Sequence, residues 1–306
     1  MLLPKQYMGW KVDFTTPKGE PALLSPDSVT WRVMKNPVTT FIGGVAAFLM
    51  EFADPRIRSG VSDHSTYLKD PIGRATRTGL AAALGTYGPA SAARQVIAGI
   101  TKMHEKVQGT TPGGLEYSAM DTQLLDWVAA TANFGFVTAY HRYAKKLSPK
   151  EIHRYYQEGH VVAKLYGVER TLNDEYDFYD MMHKLSPIFE PHEINTVFLE
   201  TAENSVSSRN IPPFLSHYLV CAAVDMIPAE IQNKLQLGEQ YKLSSLGCLC
   251  VKSVAQSAEW FANERSMAAS ACERLGLPRK FLWLSQAKQK QLLADLGRAE
   301  MGFAQK

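Results

Sequence analysis

Four side chains in the stretch from Asp63 to His104 are of types and spacing that do chemistry: Arg74, Arg77, Thr78 and His104. Arg74 and Thr78 are four residues apart, which on a helix puts them on one side with Arg77 flanking. His104 lies four residues after Ile100, on the stripe Ala93, Val96, Ile97, Ile100, Met103 and Val107. That spacing aims its imidazole at the interior. A guanidinium pair suits carboxylates, a hydroxyl donates one hydrogen bond, and an inward imidazole is a metal ligand or a core histidine held by a carbonyl. An iron porphyrin needs the first arrangement; a helical core with one satisfied histidine shows the same pattern. The side carrying Arg74 and Thr78 continues as Ala81, Ala82 and Gly85. This is room for a flat ligand or for a close helix–helix contact.

The elements that must position these groups read as helices. Asp70-Pro71 is an N-cap with proline in the first turn, opening a helix to about Tyr87. Gly88-Pro89 breaks the chain and starts the next, to about Gln108. Residues 38–53 are a buried helix, with Gly43-Gly44 inside it and charges at Glu51 and Asp54 at its end. Residues 109–114 are a loop and 120–146 a long apolar helix. Ser148-Pro149-Lys150-Glu151 is a capping box that opens another helix to about Gly167. Later prolines cut the remainder into further helices, and strand signals are weak. The expectation is one all-α domain, with an irregular, proline-rich arm over 1–27 and a charged amphipathic helix and tail over 279–306.

Composition narrows the classes. With 33 basic and 30 acidic residues, and Lys145-Lys146 the densest basic pair, the chain has no electrostatic footprint for nucleic acid. Four cysteines without a Cys-x-x-Cys motif are too few for a disulfide framework and read as small buried thiols in a reducing compartment. The first residues carry no apolar leader and the run Val38–Ala53 is short for a span. The expectation is therefore a cytoplasmic chain with no integral membrane segment. Nucleotide-loop, nucleophile-elbow and His-Glu-x-x-His motifs are absent. His153, Glu158 and His160 are a candidate metal set or a salt-bridged surface, Asp180-x-x-His183 is half of a di-iron spacing, and His217 and Cys221 share a helix face. His64 reads as a loop residue at a pocket mouth, and His141 as surface.

An ordered series of short matches adds to this: Asp63-His64-Ser65, Asp70-Pro71-x-Gly73-Arg74-x-x-Arg77-Thr78, His104-x-x-Val107-x-Gly109, Tyr117-Ser118-Ala119, Leu124-Leu125-x-Trp127-Val128, Ala139-Tyr140, Leu147-Ser148 and Tyr155-Tyr156-x-Glu158. In order and spacing, most strongly over 37–185, the chain resembles the mpaB-type oxygenases, which share a catalytic domain with the rubber oxygenases called latex clearing proteins. The resemblance implies a globin-like helical core holding haem b, with His104 as the iron ligand. It implies a distal arginine and threonine at Arg74 and Thr78, and oxidative cleavage of a C=C bond in an apolar, isoprenoid-like substrate by dioxygen. Arg77 stands where the rubber-cleaving branch has a lysine. An arginine stays charged and cannot ligate iron, so its expected role is a hydrogen bond to dioxygen or to a haem propionate. Asp54-Pro55 replaces a frequent His-Pro, and Ala129 a frequent histidine. No carboxylate upstream of Arg74 matches the branch's catalytic glutamate; Asp54 and Asp63 are the nearest candidates. A haem- or lipid-binding protein without turnover, and a haem-free relative, are the competing readings. The oligomeric state is left open.

Overall fold

The computed structural model describes residues 6–7, 10–67, 69–207 and 211–304; parts of the expected arm and tail, residues 1–5, 8–9 and 305–306, lie outside them. The chain is all-α, as its periodicity predicts. Its helices are α1 (Val29–Met34), α2 (Pro37–Phe52), α3 (Pro55–His64), α4 (Pro71–Tyr87), α5 (Ala90–His104), α6 (Thr122–Ala139), α7 (Pro149–Leu165), α8 (Glu175–Leu185), α9 (Glu193–Ser207), α10 (Pro213–Met226), α11 (Ala229–Leu235), α12 (Ser245–Trp260), α13 (Met267–Arg274) and α14 (Gln286–Ala304). Two antiparallel pairs accompany them: β1 (Gln6–Tyr7) with β2 (Trp10–Lys11), and β3 (Gln108–Thr110) with β4 (Glu116–Ser118).

Local chemistry sets most of the boundaries. Asp70 accepts from the Gly73 N–H at the start of α4, and Ser148 and Glu151 form the full capping box of α7. The sequence reading missed α3, although Asp54-Pro55 is a cap and first-turn pair of the same kind; Asp54 accepts from Arg56 N. α5 ends at His104 rather than near Gln108. Val107 accepts from Ala119 N (2.9 Å), and the chain leaves the helix for the β3–β4 hairpin, where a loop was expected. The long helix over 120–146 is α6 followed by a π-helical turn, Tyr140–Ala144.

α2 is the spine of the larger core. It packs most extensively on α6, then on α10 and α12. Trp127 of α6 donates to Met50 O at the end of α2 (3.3 Å), and Phe134 stacks on Phe178 of α8 at 3.9 Å between centroids. A second core joins α4, α5 and α13 to Phe14, Leu24 and Trp31, with Leu292, Leu293 and Leu296 of α14 against it. Among the described residues no single helix is long and apolar enough to cross a membrane. Two bent pairs, α2 with α3 and α10 with α11, pass by length and composition; α2 and α10 are components of the larger core.

Arg274 fastens the arm to this second core. It is 1% exposed and spends its guanidinium on three carbonyls: Glu20 O (2.8 Å), Phe14 O (2.9 Å) and Tyr87 O (2.8 Å). Arg274→Met keeps the stem but strands two buried acceptors, Phe14 O and Tyr87 O, and the half-buried Glu20 O. It is expected to cost about 3 kcal/mol or more, read as a lower urea midpoint. A midpoint unchanged from wild type would show that the arm is not held by these bonds.

The cysteines are only partly as expected. All four are free thiols, but Cys221 and Cys272 are buried while Cys248 and Cys250 are half-buried.

Candidate functional site

The site gathers where the end of α2, the first turns of α4, the end of α5 and the middle of α6 meet. Its electrostatic centre is Arg74. The guanidinium lies 5.7 Å over the Phe48 ring and donates to Thr78 Oγ1 at 3.2 Å, while the Thr78 hydroxyl donates back to Arg74 O at 3.1 Å. The expected pairing of Arg74 with Thr78 on one face is therefore present. The charge of Arg74 is felt by three other groups: Glu51 on α2, Tyr67 in the α3–α4 connection, and His104 on α5.

His104 is half-buried, and neither ring nitrogen has a hydrogen-bond partner among the described residues. Loss of solvent lowers its pKa, and Arg74 lowers it further, so the imidazole is neutral at pH 7. The carbonyl that would mark a satisfied core histidine is not found among the described residues. A half-buried imidazole with no protein partner differs from a core histidine satisfied by a carbonyl.

Glu51 is the functional group that sequence reasoning missed. It stands three residues after Phe48, on the same side of α2, and burial pushes its pKa up to about 7 against the opposing pull of Arg74 and Thr131. Thr131 has one hydroxyl proton and faces two acceptors, Glu51 Oε1 at 3.3 Å and Val128 O at 2.9 Å. A protonated Glu51 resolves this by donating to the hydroxyl, which then donates to Val128. The two carboxylates considered from sequence are committed elsewhere. Asp54, fully buried, caps α3 and pairs with Arg56 (2.7 Å), and Asp63 accepts from Tyr117 Oη (2.9 Å). Because the folded pKa of Glu51 is raised, its stabilising contribution is complete below about 4.5 and is lost as pH rises through about 7. Wild type is therefore expected to lose urea resistance relative to Glu51→Gln between pH 5 and pH 8. Parallel stability–pH curves would place the carboxylate in water.

Other predicted residues are placed differently. Arg77 donates to Thr66 Oγ1 (2.5 Å) and pairs with Asp70 (3.5 Å), so it braces the α3–α4 connection at the rim. Of the small residues after Thr78, Gly85 is closed by Val162 of α7, 3.1 Å from where a Cβ would stand, whereas Gly79 has no atom within 4 Å of that position. The helix–helix reading holds at Gly85, and the open face is at Gly79. His64 ends α3 and lies 3.3 Å from Tyr117 Oη. His141 accepts from Leu147 N (3.1 Å). The candidate metal set on α7 does not converge. His153 meets Asn173 O (3.0 Å), His160 meets Leu172 O (3.0 Å), and Glu158 accepts from Val29 N, Thr30 N and Thr30 Oγ1 at the start of α1. Asp180 is held by Arg170 and Lys184 (both 2.8 Å), and His183 faces Glu230 (2.9 Å). His217 and Cys221 do share a face, 3.4 Å apart, with the thiol buried. Among the described residues no group of three or more His, Cys, Asp or Glu side chains is set to hold a metal ion by itself.

Of what a haem would need, the structure offers an imidazole without a hydrogen-bond partner and an arginine whose charge reaches it. Ile72, Met103 and Val128, on the helices that carry Arg74, His104 and Thr131, remain 36–47% exposed, apolar surface that a porphyrin can cover. Searches of the curated proteins and of the solved structures return no match. A family model described as ER-bound oxygenase mpaB/B'/rubber oxygenase, catalytic domain, matches residues 31–248. The matched span holds Glu51, Tyr67, Arg74, Thr78, His104 and Thr131 and ends inside α12, so the chain belongs to the mpaB/rubber oxygenase catalytic-domain family of oxygenases.

Proposed function

We propose that the chain is a haem-b-dependent oxygenase that cleaves a C=C bond of an apolar substrate, one dioxygen supplying the oxygens of two carbonyl products. The observation that carries this is the neutral His104 imidazole, half-buried and without a hydrogen-bond partner, in the field of the same arginine as Glu51. Haem b, when bound, supplies the iron that activates dioxygen. His104 would hold that iron through a ring nitrogen that burial favours in its unprotonated form. Arg74 would anchor a propionate or stabilise negative charge on the bound group, and Thr78, whose hydroxyl proton goes to Arg74 O, would hold the guanidinium it accepts from. Arg77 reaches the same side only by leaving Thr66 and Asp70, so its work is at the rim or on a propionate.

Glu51 supplies the acid–base group whose absence favoured a binding protein without turnover. With a pKa of about 7 it can take and return a proton at its carboxylate near neutral pH. A pH–rate limb near 7 is expected in wild type and absent in Glu51→Gln. The four free cysteines suit a reducing, cytoplasmic setting. The decisive test is the visible spectrum of the purified full chain titrated with haem. The reading requires a saturable Soret band at about one haem per chain and dioxygen-dependent loss of an added alkene. No band after titration would leave only a haem-free relative of the oxygenases.

A further inference from the structure

Beside Arg74 lies a group of aromatic rings with more polarity than packing needs. Phe48 is 3.9 Å from Phe52, 5.5 Å from Tyr67 and 4.0 Å from Phe198 of α9, centroid to centroid. Arg74 covers Phe48 itself, so this cluster is continuous with the site that holds Glu51. α9 packs on both α2 and α4. The Glu190 N–H bond to Ala53 O (3.1 Å) and the Arg58–Glu190 ion pair tie the approach to α9 to the end of α2 and the start of α3.

Two polar side chains in this region are buried and have no partner. The Tyr67 hydroxyl belongs to a residue 3% exposed, and Asn195, 1% exposed, lacks a partner for both its amide nitrogen and its amide oxygen. Asn195 stands three residues before Phe198 on the same buried face of α9. A buried polar group without a hydrogen bond destabilises the fold. Phenylalanine at 67 and leucine at 195 would fill the same space without that penalty. Tyr67 belongs to the ring cluster that adjoins the reactive groups, and Asn195 lies one turn from its Phe198.

We propose that the Phe48, Phe52, Tyr67 and Phe198 cluster receives the substrate, and that Tyr67 and Asn195 bind a hydroxyl group on an otherwise apolar molecule. The Asn195 oxygen accepts the substrate's O–H, while its nitrogen and the Tyr67 hydroxyl donate to the substrate oxygen. An alcohol uses all three groups; a hydrocarbon leaves them unmatched. The choice of an unsaturated chain as the apolar part rests on the oxygenase reading above; recognition of the hydroxyl does not.

The test compares oleyl alcohol with (Z)-9-octadecene, in one detergent, against the purified full chain with and without added haem. Binding is measured by intrinsic fluorescence and thermal shift. Wild type is expected to prefer the alcohol by about tenfold or more. Tyr67→Phe and Asn195→Leu are expected to bring the two probes toward parity, with hydrocarbon binding kept and the ligand-free melting temperature raised. Equal affinities in wild type, binding of neither probe, or a preference that survives both substitutions would overturn the proposal. A preference that survives together with lowered melting temperatures would assign the two groups to a buried structural water. Where Asn195→Leu fails to fold, the conservative Tyr67→Phe decides. Binding is scored apart from the Soret band, so failure of the haem reading and failure of this one are separate results.

Discussion

His104→Ala is expected to abolish the Soret band that the wild-type chain gains with haem, and added imidazole is expected to restore it. The half-buried ring of His104 has no hydrogen bond to lose, so its removal strands no buried polar partner, and the fold should be nearly unaffected. What is lost is the iron ligand. Disturbing groups that merely orient a ligand costs about 10–100-fold in metal affinity, so removing the only protein ligand should cost about a hundredfold or more. Alanine leaves a space the shape of the ring, beside Arg74, which free imidazole can fill. His141→Ala and His160→Ala are the controls. Those rings accept from or face backbone groups at Leu147 and Leu172, and their loss should change stability but not the spectrum. An unchanged band in His104→Ala would move the ligand elsewhere and take the proposed function with it.

What the sequence told about this site depended on whether the signal was local. The caps at Asp70 and Ser148 act within one turn, so α4 and α7 begin where their residues say. The phase of α4 likewise joined Arg74 to Thr78. His104 was legible as inward, but the end of α5 was not, because the short strands that stop it carry weak strand signals and show themselves only in their pairing with each other and in the Ala119 N–H bond to Val107 O. Glu51 was read as a charge closing an apolar run. Its burial comes from α6, far along the chain, and from the Arg74 side of α4, and no spacing rule reports those. The usable signal was its three-residue offset from Phe48 within a helix otherwise apolar at that end. The rim position of Arg77 has a related cause. Lying three residues rather than four from Arg74, it turns the other way, and Asp70 and Thr66 capture it there.

Gly135→Ala is expected to lower the stability of the fold by separating its two central helices. α2 and α6 cross at Gly43 and Gly135. A Cβ at 135 would stand 2.5 Å from Gly43 O, and one at 43 would stand 2.7 Å from Gly135 O. Both obstacles are backbone, which cannot rotate aside, so the helices must separate along the most extensive contact in the molecule. Overpacking a core costs about 1–3 kcal/mol where side chains can yield; here the expectation is about 3 kcal/mol or more, measured as a lower urea midpoint in Gly135→Ala and in Gly43→Ala. Gly44 is the matched control. Its nearest neighbour is Phe136 Cε1 at 3.8 Å, and alanine gains about 1 kcal/mol of helix propensity, so Gly44→Ala should be neutral or stabilising. Equal effects at 43 and 44 would remove the crossing as the cause. The same separation reaches the site. Thr131 lies one turn before Gly135 on α6, and Glu51 faces it from α2 at 3.3 Å. Opening the crossing admits water to the carboxylate and returns its pKa toward the ordinary glutamate range. In Gly135→Ala the loss of stability between pH 5 and pH 8 that marks wild type should therefore flatten, as it does in Glu51→Gln, although the carboxylate is still present.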